Sequence, residues 1–420
     1  AGTLVGSFLG AMLLLAVPLT LLGTLPPWAI RLAVRGVGNS GRVAGRLWAL
    51  DTLGSLVGTF GSVLVLVPLL GTSRTLVLAG LVPVLLGSVL LLRIGARWRW
   101  VPVAAALGVG ALLVPTPDVI KPVDDGTVVF EGESRYQFVQ VVEQDSGRRV
   151  LQLNEGWAVH SIYDPETVLT GGIWDHFLVV PAAVEEAERM LLVGNAAGTA
   201  STALETWRPG LELTRVELDP VVTQAGIDWF GRPASGPGSG VVQADGRTFV
   251  ADPERWDEAP GWDVIHVDAY RQPYIPFHLA TREFFEQVDD ALDGAGVVSI
   301  NVGSPPADDR INEAIAATML EVFPVVVRYR AEEYNEVILG LQEQLDVAAL
   351  RERLAGGAAQ IRSTPGDDRE REEIIALHER FAAELAPADP DAGPVLTDDH
   401  APVEWITDRM VLGEATRGGG

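Results

Sequence analysis

Long apolar stretches fill the first part of the chain, and shorter apolar runs alternate with polar segments after it. The long stretches cover approximately residues 4–25, 47–70, 76–92 and 101–114. A helix needs about 20 apolar residues to cross a bilayer, so the first two are long enough, the third is marginal and the fourth is short. The pattern predicts a module of about four transmembrane helices in residues 1–118, with the lipid bilayer as a partner.

From residue 189 onward, apolar runs typical of strands alternate with helical patterns. The predicted strands are residues 190–193, 213–216, 241–243, 264–267 and 297–300, with two further β-rich runs at 325–329 and 336–341. Helical patterns lie between most of them, including residues 281–292 and 310–321. This alternation predicts an α/β fold with a parallel, doubly wound, Rossmann-like sheet.

The segments on either side of this sheet have different patterns. Hairpin-like alternation over residues 127–142 and 149–153 predicts a small β-rich domain before it, and charged helical patterns at 346–354 and 369–385 follow it. The predicted organisation is residues 1–118 transmembrane, 119–185 small β domain, 186–345 Rossmann-like domain and 346–420 helical, acidic tail.

Charge divides the chain at the same place as hydropathy. The 420 residues carry a net charge of −25, which splits into +6 for residues 1–120 and −31 for the remainder. A strongly acidic, water-facing part argues against a nucleic-acid partner, because phosphates need a basic face. The chain has no cysteine, which excludes disulfides, thiolate metal sites and thiol nucleophiles.

Arginines in the loops between the apolar stretches predict an orientation. Arg31, Arg35, Arg42 and Arg46 follow the first stretch, and Arg93, Arg97 and Arg99 follow the third. The opposite side carries only Arg74 and Lys121. Basic loops stay in the cytoplasm, so four spans place the acidic part on the far side of the membrane. A cytosolic co-substrate would require the reverse.

Small and acidic residues follow four successive predicted strands. The first strand ends in the turn Gly194-Asn195-Ala196-Ala197-Gly198, and the next strands end at Glu217, at Asp245 with Gly246, and at Asp268. Ligands of open α/β sheets bind beyond these strand ends. Glu217 lies 23 residues after Gly194, a spacing typical of a ribose-binding carboxylate, and Asp245 is placed to accept from the adenine amine.

Each of these signals has a structural explanation of its own, since a small-residue turn, a surface Glu or an Asp-Gly turn is common. Their joint order favours a nucleoside site. The turn lacks the full GxGxxG pattern and a P-loop lysine, which disfavours a dinucleotide or a triphosphate. The six histidines are scattered without metal-ligand spacing, and no metal site or tightly bound cofactor is predicted.

At these residues the sequence resembles the polyamine aminopropyltransferases (spermidine synthases), in particular their membrane-fused branch. The similarity covers about residues 128–341. Its tracts are LNEG at 153–156, VELD at 216–219, ADG at 244–246, WDVIHVD at 262–268, IPFHLATREFF at 275–285 and LTDDHAPVE at 396–404. Residues 45–71 resemble the membrane portion of that branch.

The resemblance implies a methyltransferase-like nucleoside site and transfer of an aminopropyl group from decarboxylated S-adenosylmethionine, a co-substrate, to an amine. Asp268 then matches the family's catalytic aspartate, Glu217 its ribose ligand and Asp245 its adenine ligand. Gly194, Asn195, Gly198 and Gly246 line the same nucleoside. Trp174, Asp175 and Tyr270 are candidates for the wall of the amine pocket.

The sequence also departs from the family where the amine is held. Ala197 stands where the glycine loop normally carries an aspartate, and Arg271 stands in place of a second aspartate three residues after Asp268. A guanidinium there repels a polyamine cation. Residues 173–175 replace the usual Tyr and Glu.

Three functions remain open: an aminopropyltransferase-like enzyme, a degenerate domain that binds or scaffolds within a membrane complex, and a methyltransferase that uses ordinary S-adenosylmethionine. The acidic tail motif of Asp398, Asp399 and Glu404 is expected either to fold over the site or to be solvated surface. A homodimer or membrane-complex partners are compatible with each function.

Overall fold

The computed structural model describes residues 2–34, 36–93, 108, 110, 119–156, 158–233, 240–256, 261–271 and 273–417. Its internal contacts divide the chain into two units, Ala1–Ile120 and Lys121–Gly420. The predicted fourth apolar stretch, residues 101–114, lies almost entirely outside the described residues.

The first unit consists of apolar helices. They are α1 (Gly2–Gly23), α2 (Leu25–Ala33), α3 (Ser40–Gly61), α4 (Val67–Leu70) and α5 (Thr72–Arg93), with a π-helical segment, Ser62–Leu66, joining α3 to α4. Among the described residues, three continuous stretches are long and apolar enough to cross a membrane: Phe8–Ala33, Ser40–Leu70 and Thr72–Leu90. The shortest has 19 residues, about 28 Å of helix, which nearly matches a hydrocarbon core of about 30 Å.

The second unit begins with a four-stranded antiparallel sheet. Its strands are β1 (Thr127–Glu133), β2 (Phe138–Glu143), β3 (Arg149–Leu153) and β4 (Val159–Tyr163), in the order β1-β2-β3-β4. Short polar turns connect successive strands, which is why each pairs with the next. This is the predicted small β-rich domain.

An eight-stranded mixed sheet follows, in the order β12-β10-β11-β9-β8-β5-β6-β7. The strands are β5 (Arg189–Val193), β6 (Glu212–Glu217), β7 (Val242–Gln243), β8 (Trp262–Val267), β9 (Leu292–Gly303), β10 (Val325–Glu332), β11 (Asn335–Leu341) and β12 (Ala386–Pro387). Strands β5 to β9 pair in parallel, whereas β11 pairs antiparallel with β9 and β10.

Helices cover both faces of this sheet. They are α6 (Ile173–His176), α7 (Thr199–Trp207), α8 (Pro220–Trp229), α9 (Gly246–Val250), α10 (Arg282–Ala291), α11 (Arg310–Leu320), α12 (Val347–Gly356), α13 (Ala358–Ser363), α14 (Asp368–Glu384) and α15 (Val403–Arg417). Alternate residues of β5 point to opposite faces, as a strand requires: Leu191 lies in one buried cluster, with α10 and α11, and Leu192 in another, with α7 and α14.

The predicted Rossmann-like, doubly wound fold with a preceding β domain is therefore confirmed. The expectation that the large sheet is parallel throughout was too simple. Only two residues, Glu333 and Tyr334, separate β10 from β11, and so short a connection forces an antiparallel hairpin.

Candidate active site

The glycine turn after β5 brings three strand ends together. The Gly194 N–H donates to Val216 O at 2.9 Å, and the Asp268 N–H donates to Val193 O at 2.9 Å. Gly194 has φ +93°, and a Cβ there would lie 2.3 Å from the Asp268 carbonyl oxygen. Only glycine fits this position, so the ends of β5, β6 and β8 meet at one edge, as predicted.

Every backbone N–H of this turn is used inside the protein. Gly194 and Asn195 donate to Val216 O, Ala196 donates to Glu217, Ala197 donates to Ser161 Oγ and Gly198 donates to Asn195 O. Gly198 is the N-cap residue of α7. Hydrogen bonds within the protein therefore fix the conformation of the turn without a ligand.

Glu217 is the last residue of β6, and its carboxylate is hydrogen-bonded to the glycine turn. Its Oε2 accepts from the Ala196 N–H at 2.8 Å and its Oε1 accepts from the Asp219 N–H at 3.0 Å. Burial raises the pKa of Glu217, and these two backbone hydrogen bonds oppose the rise. A third backbone interaction, with Leu218, also lowers this pKa. A carboxylate has about four acceptor positions, so acceptor capacity remains for a ribose hydroxyl.

Asp245 caps α9 while facing a histidine. Its Oδ1 accepts from the Thr248 N–H at 3.0 Å, and its Oδ2 lies 3.2 Å from His278 Nε2. The His278 contact holds the pKa of Asp245 below its usual range. Gly246 follows, and a Cβ there would lie 2.3 Å from Val193 Cγ1. Asp245 is thus ionised and packed close to the end of β5.

Asp268 lies just beyond β8 and is held by an asparagine. Asn301 Nδ2, on β9, donates to Asp268 Oδ1 at 2.8 Å, and Asn335 Nδ2 donates to Asn301 Oδ1 at 3.1 Å. Burial raises the pKa of Asp268 to about 6, and the Asn301 hydrogen bond limits the rise. A carboxylate with this pKa is mostly ionised at neutral pH and is a stronger base than a solvated one.

Tyr270 fixes the segment that follows Asp268. Its hydroxyl donates to Asn301 O at 2.8 Å and accepts from the Gly303 N–H at 2.6 Å. Burial, followed by the charge of Asp268, raises the pKa of Tyr270. Its hydroxyl therefore stays protonated and serves as a fixed link between the ends of β8 and β9.

Asn195 presents an unpaired buried acceptor at the turn. The residue is buried, its Nδ2 donates weakly to Ala196 O at 3.4 Å, and its Oδ1 has no hydrogen-bond partner among the described residues. Leaving a buried acceptor unsatisfied costs about 1–3 kcal/mol. A ligand that supplies an N–H or O–H here would recover that cost.

Trp174 and Asp175 lie in α6. The Asp175 carboxylate accepts from the Thr170 N–H at 3.0 Å and from the Gly171 N–H at 2.8 Å, and burial raises its pKa. Trp174 packs, partly buried, against the cluster that contains Leu192. These contacts give both residues a structural task, and their place in an amine pocket stays a prediction.

Ala197 and Arg271 differ in surroundings. Ala197 is 1% exposed and packs in an apolar cluster with Leu151 of the small sheet and Val222 of α8. Arg271 is exposed, and its backbone pairs with that of Tyr274 in a tight turn. Through Ala197, the glycine turn is therefore part of the contact between the small β domain and the large sheet, whereas Arg271 faces solvent.

Three residues around the site were missed from the sequence: Asn301, His278 and Arg247. Arg247 donates from NH1 to His278 O at 3.1 Å, so it supports the residue that faces Asp245. Asn301 could have been found, because it directly follows the predicted strand 297–300. No pattern along the chain indicated the other two.

Two cavities of the second unit lie away from this edge. One, of about 220 Å³, is lined by residues 392–396 and the start of α15. The other, of about 430 Å³, is lined by residues 121–125 and by β2 and β3 of the small sheet. Neither is lined by a predicted site residue. Among the described residues, no group of three His, Cys, Asp or Glu side chains could hold a metal ion.

The chain has sequence relatives of stated activity. It is 30% identical over 298 residues to a probable polyamine aminopropyl transferase of Bifidobacterium longum, covering 69% of this chain and 65% of that protein. It is 28% identical over 328 residues to a polyamine aminopropyltransferase of Mycobacterium tuberculosis, covering 70% and 60%. The chain thus spans less than two thirds of the length of either relative. No protein-family model matches it.

Solved structures similar to the chain include a probable spermidine synthase from Corynebacterium glutamicum, at 17% identity and a TM-score of 0.45, covering 61% of this chain and 95% of that one. Another is a spermidine synthase in complex with the transition-state analogue AdoDATO, at 20% identity and a TM-score of 0.46, covering 60% and 83%. The sequence relatives confirm the resemblance to the polyamine aminopropyltransferases. Membership of the membrane-fused branch stays a prediction.

Proposed function

With the polyamine aminopropyltransferases as its sequence relatives, we propose that the chain transfers an aminopropyl group from decarboxylated S-adenosylmethionine to an amine. The observation that carries this proposal is the position of Asp268. Its carboxyl group lies at the same sheet edge as Glu217 and the glycine turn, and its pKa is raised to about 6. A base with these properties suits an amine nucleophile.

The reaction asks little of the protein beyond position and one base. The amine nitrogen attacks the carbon next to the sulfonium sulfur, the carbon–sulfur bond breaks, and its electron pair goes to sulfur, which leaves methylthioadenosine. The amine's proton passes to Asp268. In the proposed complex, Glu217 accepts from the ribose hydroxyls, Asp245 accepts from the adenine amine, and Asn195 Oδ1 receives an N–H of the donor.

The test is transfer by the full chain in detergent micelles, with decarboxylated donor and a panel of amines, followed by mass spectrometry. Asp268→Asn is expected to abolish transfer. Asp263→Asn is the matched control, because Asp263 is on the same strand and its carboxylate accepts from the Glu188 and Arg189 N–H groups, both at 2.8 Å, at the other end. Transfer that survives Asp268→Asn, or is absent with every amine, would overturn the proposal.

A second candidate is a domain that retains the fold but no longer transfers. It is favoured by Ala197, whose side chain is enclosed in an apolar cluster, and by the cation Arg271, which stands three residues after Asp268 where the family carries an aspartate. Calorimetry with methylthioadenosine separates the two functions. Micromolar binding supports the enzyme, and absence of binding supports the scaffold.

For the second candidate, the scaffold, we further propose that the second unit faces away from the cytoplasm; the enzyme, which draws its donor from the cytosol, requires the opposite orientation. The support is the arginine asymmetry of the loops together with the predicted fourth span at 101–114, which lies almost entirely outside the described residues. With only the three candidate spans of the described residues, the same rule would place the unit in the cytoplasm. Proteolysis of sealed, right-side-out vesicles is the test: cleavage within residues 121–420 supports the proposal, and protection contradicts it.

A further inference from the structure

The acidic motif near the C-terminus is bound to the Rossmann-like domain through both its side chain and its backbone. Asp398 accepts from Arg247 NH1 at 2.6 Å and NH2 at 2.7 Å, and also from Thr281 Oγ1 at 2.7 Å. The Asp398 N–H donates to Glu283 Oε2 at 2.9 Å. Paired, parallel hydrogen bonds between a guanidinium and a carboxylate fix orientation as well as distance.

Arg247 connects Asp398 to the part of the candidate site that is predicted to bind adenine. It belongs to α9, the helix that Asp245 caps, and its Nε donates to Gln287 Oε1 at 2.9 Å. Its NH1, besides meeting Asp398, donates to His278 O at 3.1 Å. The chain of contacts therefore runs from Asp398 through Arg247 to the backbone of His278.

His278 is the last residue in this series of contacts and faces Asp245, the predicted adenine ligand. Its Nε2 lies 3.2 Å from Asp245 Oδ2, while Thr248 occupies Asp245 Oδ1. An oxygen of this kind has two acceptor positions, so one position of Oδ2 is filled by His278 and one is left for an exocyclic amine. The placement of His278 decides where that second position points.

We propose that Asp398 is a positioning residue for the base of the donor: through Arg247 and His278 it orients Asp245 to accept from the 6-amino group of adenine. This inference rests on the proposed function and deepens it. Asp398 then contributes to the choice between adenine and other purines, although it contacts no reacting atom.

A purely structural task for the motif makes a different prediction. Leu396 is fully buried, and its carbonyl accepts from the Arg282 N–H at 2.8 Å, so the tail also stabilises the fold. Loss of stability would weaken every ligand equally. Loss of orientation at Asp245 would weaken only the ligand that carries the 6-amino group.

The experiment is calorimetry on the full chain in detergent micelles, with methylthioadenosine and methylthioinosine, which has an oxygen in place of the amine. The wild type is expected to prefer methylthioadenosine, and Asp398→Asn to reduce that preference about tenfold, mainly through weaker binding of methylthioadenosine. Asp399→Asn is the matched control, since Asp399 is the next residue and is exposed like Asp398, whereas the contacts with Arg247 and Thr281 are made by Asp398. It should leave the preference unchanged.

His278→Ala is a second variant, which removes the ring at Asp245 without touching the tail and should reduce the preference in the same way. Equal weakening of both ligands in Asp398→Asn, or an unchanged preference, overturns the inference while leaving the proposed function intact. A wild type that binds neither ligand overturns both. A reduced preference in Asp399→Asn as well would also overturn the role of Asp398, because it would assign the effect to general charge.

Discussion

The hydrogen bond from Asn301 to Asp268 makes a measurable prediction about pH. Replacing Asn301 with Ala removes the N–H that lies 2.8 Å from Asp268 Oδ1. That N–H stabilises the ionised carboxylate, so its loss disfavours ionisation and raises the pKa of Asp268. Hydrogen bonds to charged groups contribute about 1.5–3 kcal/mol, and one pKa unit corresponds to about 1.4 kcal/mol.

The pKa of Asp268 should therefore move upward from about 6 by about one unit, to near neutral. If Asp268 is the base, activity falls as pH drops through this pKa. The assay is the pH dependence of kcat/KM for the donor at sub-saturating amine, because this ratio then reports groups of the free enzyme. The amine titrates identically with both proteins, so the difference between the two profiles isolates Asp268.

Asn335 supplies the matched control. Its amide donates to Asn301 Oδ1 at 3.1 Å, one step further from the carboxylate, and Asn335→Ala should move the acidic limb much less. An acidic limb that stays in place in Asn301→Ala, or moves to lower pH, would refute the reasoning. Far-UV circular dichroism of both variants checks that the limb belongs to folded protein.

Three further predictions concern two residues of the turn and the buried His378. Gly194→Ala should destabilise the fold by more than about 2 kcal/mol and remove nucleoside binding, because its Cβ would lie 2.3 Å from Asp268 O; a wild-type melting temperature would contradict this. Ala197→Asp should lower the melting temperature by burying a carboxylate among apolar groups, and tighter donor binding without loss of stability would contradict it. The pKa of His378 is lowered to about 4 by burial and by Arg208, against about 6.5 in an unfolded chain, so its contribution to stability is complete above pH 6.5 and falls by about 3 kcal/mol as the pH drops to 4. The urea midpoint of unfolding should depend less steeply on pH between 4 and 6.5 in His378→Gln than in the wild type. An unchanged pH dependence would contradict the assignment.

The fold could be predicted from the sequence because the length and spacing of apolar runs differ between strands and helices. The runs at 190–193 and 264–267 are short, apolar and regularly spaced, which is how buried parallel strands are recognised. It did not indicate the antiparallel β10 and β11, because a strand's direction depends on its connection and not on its own residues. The two-residue β12 lies at the sheet edge and leaves no periodic signal.

The positions of the candidate site residues in the fold were predictable, because strand ends can be read from the chain. Glu217 is the last residue of its strand, and Asp245 and Asp268 come just after theirs. Their roles in binding and catalysis stay predictions. Long-range pairs cannot be read in this way: Arg247 and Asp398 are 151 residues apart, and no local pattern links them. The pocket residues Trp174 and Asp175 were inferred from family positions, and their contacts in α6 bind them to their own loop and core.

The glycine turn also bears on which metabolites the protein ignores. Phosphate-binding turns present free backbone N–H groups to the anion, and here the N–H groups of residues 194–198 all have acceptors within the protein. The phosphates of a nucleotide would find no free N–H donor in the turn, and they would lie next to the carboxylates of Glu217 and Asp268. The site would accordingly favour uncharged or cationic adenosyl compounds over ATP and NAD, without a separate gate to exclude the phosphates.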